Sequence, residues 1–491
     1  MVSRQNMTIV GREKELLELE KLYQSNKPEF LAIYGRRRVG KTYLVYECFQ
    51  DRFAFYVSAL SPVDNKNLKP EDILHNQLNN FYNALKKYGL PEGKKPQDWF
   101  EAFNLLSQLL DLKDDGHTKK VVFLDELPWF DTKGSNFISA FESFWNQKGS
   151  HDPHLLLIVC GSANSWMLDE LINSRGGLYN RVTYEIHLQP FNLKECEELL
   201  KLKNIKMSSY DLAQTYMIFG GVPYYLNYLN SDLSLIQNVD ELFFSNTAKL
   251  ANEYERLFSS MFKDANKCKD IVTLLAKRNY GYTRKEICEK LHLSSGESLS
   301  QTLNALVASD LVMKYSPYRG NKRDTYYRLI DPLCIFHLSF VKDMSSLTPD
   351  FFQGYYESPA MSGYRGKSFE NLCFAHISAI KKTLGINGII STQGIWYQKG
   401  NNDVNGHQCD LIIDRNDNIV NLVEAKFYRG LFTVNKDYYF DLLDREEEFS
   451  KIIEKRKITK QVLLTTFGLK NNEYSSIFSN VITIDDLIKN S

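Results

Sequence analysis

Gly35-Arg36-Arg37-Arg38-Val39-Gly40-Lys41-Thr42 carries glycine, glycine, lysine and threonine at every fixed position of a phosphate-binding loop. Immediately before it, Phe30–Tyr34 is an apolar run of strand length. Immediately after it, Tyr43–Phe49 has helical spacing, so the octamer is expected between a buried strand and a helix. The glycines let the backbone turn tightly enough to aim its N–H groups at phosphate oxygens, and the start of a helix adds partial positive charge there. Lys41 is expected to reach the β- and γ-phosphates and the Thr42 hydroxyl to ligate magnesium. Chance alone would produce such an octamer in about two or three of every hundred chains of this length. The flanking strand and helix make chance a poorer explanation still.

Further out, short β-like runs alternate with helical patterns: Phe30–Tyr34, Phe53–Val57, Val121–Leu124, Leu155–Cys160 and Tyr184–Leu188. That alternation predicts an α/β fold with a mostly parallel sheet. From Leu193 to about Lys263 apolar residues recur at three- and four-residue spacing, which predicts helices. Val121-Val122-Phe123-Leu124-Asp125-Glu126 is a buried-strand pattern ending in two carboxylates. At the ligand edge of a parallel sheet, Asp125 would hold magnesium through water and Glu126 would polarise the attacking water.

Val10-Gly11-Arg12-Glu13-Lys14-Glu15-Leu16 is similar to the opening of archaeal-type ATPases. These belong to the signal-transduction ATPases with numerous domains (STAND), related to the origin-recognition and AAA+ proteins. Leu155–Ser162 resembles the strand carrying that family's first sensor. Gly177-Leu178-Tyr179-Asn180-Arg181 resembles the segment with a phosphate-facing arginine, here Arg181, and Gly220-Gly221-Val222-Pro223 matches the Gly-x-Pro motif of the helical lid. The resemblance covers roughly residues 7 to 340. It implies ATP as the nucleotide, Mg2+ as its metal and Pro223 near the adenine. The arginine that many members carry after the sensor strand has no counterpart in Ser162–Trp166.

Between Asp270 and Arg328 the pattern predicts short helices and then a hairpin, the order of a winged helix. The second helix would expose Ser298, Ser300, Gln301 and Asn304, all uncharged, whereas the hairpin carries Lys314, Arg319, Lys322, Arg323 and Arg328. Those cations could contact DNA phosphates without reading sequence. In the STAND family the module also serves as an internal lever, and both roles stay open.

At the C-terminal end, Leu411–Ile413 and Ile419–Val423 are β-like runs joined by the turn-rich Asp414–Asn418. A hairpin pivoting about Asp417 would set position 410 across from 424, with Glu424 and Lys426 on one face. Asp410 and Glu424 then suit a divalent metal, with Lys426 orienting or deprotonating water. The spacing resembles the PD-(D/E)xK restriction-endonuclease-like fold, whose additional helical glutamate is matched by Glu370 within Gly366–Leu372. Cys409 stands where that family usually has proline.

The expected layout is a P-loop ATPase core (1–190), a helical lid (191–265), a winged-helix domain (266–344), a linker (345–362) and a nuclease-like domain (363–491). The 491 residues are 43% hydrophobic and 24% charged with zero formal net charge, so no overall field favours nucleic acid or membrane. No apolar run approaches the roughly 20 residues needed to span a bilayer. The N-terminus lacks an apolar signal stretch, and the eight cysteines are scattered without a Cys-x-x-Cys pair. A cytoplasmic location is expected from these features. The expected partners are ATP and DNA, with no membrane and with a homo-oligomer left open. An ATP-controlled DNA nuclease is the leading reading. A nucleotide switch whose last domain only binds DNA or protein, and an ATP-driven protein remodeller, are the alternatives.

Overall fold

A computed structural model describes the chain except for residues 1–8, 62–67, 163–165, 173–177, 179, 263, 319–324, 345–349 and 399–405. Gly177, Tyr179, Arg319, Lys322 and Arg323 therefore lie outside the described residues. The chain forms two compact units: Met1–Gln189 with Arg256–Ala265 and Ser300–Asp310, and Pro190–Glu255 with Asn266–Leu299 and Leu311–Ser491. Residues 256–265 and 300–310, expected in the lid and winged-helix segments, thus group with the first unit.

In the first unit, strands β1 (Glu29–Tyr34), β2 (Phe53–Ser58), β3 (Lys120–Asp125), β4 (Leu155–Cys160) and β5 (Tyr184–His187) form one sheet. Its order is β2-β3-β4-β1-β5 and every pairing is parallel. Parallel strands are covered on both faces, which is why these runs are continuously apolar rather than alternating. Successive residues still serve opposite faces. Phe30, Ala32, Val122, Leu124, Leu157 and Val159 join a core with Phe81, Trp99, Phe103 and Phe141 from three helices. Leu31, Ile33, Val121, Phe123, Ile158 and Cys160 join a second core with Leu19, Leu22, Leu44 and Phe49. The helix Trp99–Leu112 starts where the Asp98 carboxylate accepts from the Glu101 N–H.

The second unit begins with helices, the first of which (Leu193–Leu202) is opened by a capping box of Asn192 and Glu195. Next, β6 (Tyr282–Thr283) and the hairpin β7 (Val312–Tyr315) and β8 (Tyr326–Leu329) form an antiparallel sheet in the order β6-β8-β7. The hairpin expected at the end of the segment Asp270–Arg328 is present as β7 and β8; β6 is an addition. The last five strands are β9 (Ser391–Gln398), β10 (His407–Arg415), β11 (Ile419–Lys426), β12 (Ile458–Thr465) and β13 (Asn480–Thr483), ordered β13-β12-β11-β10-β9. Pairings from β9 to β11 are antiparallel and those from β11 to β13 parallel. Phe449 of the helix Lys436–Ser450 seals one face against Trp396, Cys409, Ile412 and Leu422.

The stretch expected to be a linker, 345–362, is instead partly helical. It holds the helix Phe351–Tyr355 and the start of Pro359–Ala375. Its Ser, Pro and Gly content suggested loop, but Ser358 and Pro359 are a helix cap and first-turn residue, the Ser358 side chain accepting from the Met361 N–H. Phe352 is fully buried, and the Asp240 carboxylate accepts its N–H at 2.7 Å.

Candidate functional site

The two groups of candidate side chains lie one in each unit. In the first, β1 ends at Tyr34 and the helix Lys41–Phe49 starts at Lys41, so the octamer spans the gap between them. Gly35 has φ 142° and a Cβ there would stand 2.5 Å from the Leu188 carbonyl oxygen, so only glycine fits. Gly40, at φ 96°, leads directly into the helix. Lys41 is only 6% exposed, and its Nζ donates to the Gly35 and Arg36 carbonyls at 3.3 and 3.0 Å. Burial depresses its pKa, with the Glu126 and Asp125 charges pushing the other way.

Asp125 closes β3 and is 4% exposed. The Thr42 hydroxyl lies 3.1 Å from each of its carboxylate oxygens, joining parts of the chain 83 residues apart. Glu126 follows in a left-handed conformation, φ 50°, a strained state for a non-glycine residue. Burial raises its pKa; Lys41 opposes that rise and the Ser162 N–H bonds its charged form. Ser162 itself is buried at the end of β4, which lies between β1 and β3.

Two neighbours escaped the sequence reading. The Cys160 thiol donates to Asp125 Oδ1 at 2.6 Å, and the Arg12 guanidinium donates to the Val39 carbonyl at 3.3 Å. Arg12 belongs to the opening motif, but nothing local to either residue announces its contact. Arg36 is buried, 1% exposed, and donates to the Arg37 carbonyl. Arg38 takes φ 72°, helping the loop turn. Arg181 is exposed, its N–H bonding to the Leu178 carbonyl. Pro223 belongs to the second unit, where it begins the short helix Pro223–Leu226.

In the second unit, the β10–β11 register pairs Leu411 with Val423 and Asp414 with Val420, so position 410 faces position 424. Asp410 accepts the Ala425 N–H at 3.1 Å and the Gln408 amide at 3.2 Å. Glu424 takes an ion pair from Lys426 at 2.7 Å and another from Arg445. Arg445 further donates to the Gln408 carbonyl and to Gln461, each at 3.1 Å. Lys426 Nζ stands 5.2 Å from the Tyr438 ring centroid. Glu370, on the helix Pro359–Ala375, is paired with Arg328 of β8 at 3.2 Å and accepts from Asn279 at 2.5 Å.

The three carboxylates sense one another. Burial raises Asp410 well above the usual range, and the Glu424 and Glu370 charges add to it. Glu370 is raised by burial, against the Arg328 charge and with that of Glu424. For Glu424 burial also works upward, but Arg445 and Lys426 overcome it and hold the carboxyl below its ordinary value. Even so, among the described residues no three His, Cys, Asp or Glu side chains are gathered so as to hold a metal ion.

Arg328 also corrects an expectation. As a hairpin cation it was a candidate for DNA phosphates, yet it is 1% exposed and spent on Glu370. Side chains alternate across β8, so Arg328 and Tyr327 face opposite sides, and both sides are buried. Lys314 remains exposed. No helix among the described residues is long and apolar enough to cross a membrane.

Residues 9–229 match the family described as an ATPase domain predominantly from Archaea. An uncharacterised protein of Methanocaldococcus jannaschii, MJECL04, is 25% identical over 478 residues, covering 92% of this chain and 97% of its own. An uncharacterised ATP-binding protein of the same organism, MJ0423, is 42% identical over 43 residues, 9% of this chain and 73% of its own. Among solved structures, the Walker-type ATPase PABY2304 of Pyrococcus abyssi aligns at 18% identity and TM-score 0.45, covering 67% of this chain and 96% of its own. The Aeropyrum pernix ORC2 protein aligns at 13% identity and TM-score 0.40, covering 72% and 96%. The octamer on its parallel sheet and the family match agree: over residues 9–229 the chain is an archaeal-type ATPase domain built around a P-loop.

Proposed function

We propose that this chain binds and hydrolyses ATP with Mg2+, and that its nucleotide state controls a metal-dependent DNA nuclease or DNA-processing site in the C-terminal domain. The observation carrying the ATPase half is the Thr42 hydroxyl set on both oxygens of Asp125, beside the buried Lys41. Two hard oxygen donors at the end of a phosphate loop suit magnesium. When bound, that ion would withdraw charge from the phosphates. Gly35–Thr42 would grip the phosphates through backbone N–H groups, Lys41 would turn from the loop carbonyls to the β- and γ-oxygens, and Glu126 would orient and polarise water. Arg181 is assigned to face the phosphates and Pro223 to lie near the adenine by resemblance alone.

The nuclease half rests on the register that opposes Asp410 to Glu424, with Lys426 on Glu424 and Glu370 electrostatically coupled to both. As arranged, the carboxylates do not offer an open metal cage, because protein cations hold Glu370 and Glu424. The test is magnesium-dependent cutting of plasmid or linear DNA. A Lys426→Ala protein that cuts as well as the wild type would sink the assignment.

The same ion pairs favour a second reading, a nucleotide switch whose last domain only binds DNA or a protein. Calcium commonly permits binding but not hydrolysis at nuclease sites, whereas a pure binder is indifferent to the metal. The order helix Arg284–Leu291, helix Glu297–Ala308 and hairpin β7–β8 supports a winged helix. The burial of Arg328 favours a scaffolding over a DNA-reading role for it.

A further inference from the structure

Three carboxylates and three cations meet around the β10–β11 hairpin, and the cations differ in origin. Lys426 is on β11 and Arg445 on the helix Lys436–Ser450, both within the C-terminal domain itself. Arg328 comes from β8, the central strand of the small sheet, earlier in the chain. Its Nη2 lies 3.2 Å from Glu370 Oε2 and 3.3 Å from Asn279 Oδ1, and the Asn279 amide donates to the same Oε2 at 2.5 Å. One residue on, the Leu329 carbonyl accepts from Asn371 at 3.3 Å, so β8 is stitched twice to the helix Pro359–Ala375.

From these contacts we infer that Arg328 is a built-in counter-ion occupying the charge position a divalent cation needs at Glu370, so that loss of the Arg328 charge leaves Glu370 open to a hard cation. The inference rests on the nuclease reading of that cluster. It explains why no cage forms: Arg328 already neutralises Glu370, as Lys426 and Arg445 neutralise Glu424. Without it, Glu370 would be an uncompensated carboxylate bearing on Asp410, which among the described residues accepts from the neutral Gln408 amide and the Ala425 N–H.

The contact is also built to be breakable. A guanidinium that grips a carboxylate with two parallel bonds is hard to displace. Here one Nη2 does the work, while Arg328 Nε is buried with no hydrogen-bond partner among the described residues. Burying a polar group without a partner is costly, so the locked state is favoured less than a fully satisfied pair would be. The device differs from a simple structural ion pair in one respect. Removing one partner of a structural pair only destabilises, whereas removing Arg328 should create affinity for a hard cation.

The test measures Mn2+ binding to the full-length protein without nucleotide, by loss of the free-ion EPR signal. Wild type, Arg328→Gln, Asn279→Ala and the double variant Arg328→Gln/Glu370→Gln are compared. Arg328→Gln should bind Mn2+ at least about tenfold more tightly than wild type, and Glu370→Gln should abolish the gain. Equal affinity within about twofold, or a gain that survives Glu370→Gln, overturns the inference. Should Arg328→Gln fail to fold, Asn279→Ala, which loosens the same Glu370 oxygen, is held to the same criteria against Asn279→Ala/Glu370→Gln. DNA cutting in Mn2+ separates the two ideas. Tighter binding without cutting in any protein leaves the counter-ion standing and removes the nuclease. Full cutting by wild type with no change in affinity does the reverse.

Discussion

Replacing Glu126 by Gln keeps the shape of the side chain and removes the carboxylate that directly follows Asp125 at the end of β3. A positioned general base contributes about 10²- to 10⁴-fold to a rate, so hydrolysis should fall by at least about a hundredfold, close to 2.7 kcal/mol of barrier. Affinity for ATP should stay within about threefold, because in this proposal Lys41, Thr42 and the loop amides grip the nucleotide. The pH dependence sharpens the test. Burial raises the Glu126 pKa from the model-peptide value of 4.5, and only the deprotonated carboxylate can accept a proton. The wild-type rate should therefore rise with pH through a value above 4.5, and this limb should vanish in the Gln protein. Single-turnover phosphate release gives the rate, and anisotropy of a fluorescent ATP analogue gives the affinity. A Gln variant hydrolysing within about threefold of wild type would refute the assignment, as would one whose whole loss is in binding.

Lys41→Ala should lose at least about tenfold in ATP affinity, about 1.4 kcal/mol, read in the same anisotropy assay; unchanged affinity would contradict the phosphate-loop reading. Gly221→Ala places a Cβ 1.8 Å from the Phe191 carbonyl oxygen, where backbone must move. It should destabilise the surrounding helices by about 2 kcal/mol or more, visible as faster hydrogen exchange there. His376 is buried, its Nε2 accepting the Leu193 N–H at 2.9 Å and its Nδ1 facing the Leu372 carbonyl at 2.8 Å. Burial lowers its pKa from 6.5 to about 4, so the unfolded chain binds the extra proton first as pH falls. The neutral ring's contribution is complete above pH 6.5 and is lost as pH falls toward about 4, by roughly 3 kcal/mol in all. Urea melts between those limits should show that slope in the wild type and a flatter one in His376→Gln.

What could be read from the chain alone was what depends on neighbours in sequence. The octamer Gly35–Thr42 is a local geometry, set by two glycines and the start of a helix, and the five runs that form the parallel sheet announce themselves by their length and apolarity. The opposition of Asp410 and Glu424 was legible for the same reason, since a tight turn and a side-chain period of two fix a hairpin's register. The linker expectation failed because Ser358 and Pro359 punctuate helices as well as loops, and only the packing of Phe352 decides between them.

Tertiary structure decided the rest. Cys160 meets Asp125 because β3 and β4 are adjacent in the sheet, and Arg445 meets Glu424 because the helix Lys436–Ser450 folds back over the strands. Arg328 looked like a surface cation among tyrosines; burial against the helix that carries Glu370 made it a counter-ion instead. Motifs spaced along a few residues are constrained by covalent geometry and so leave a pattern. Partners brought together by packing leave none, because any residue of suitable size and charge at that place in space would serve.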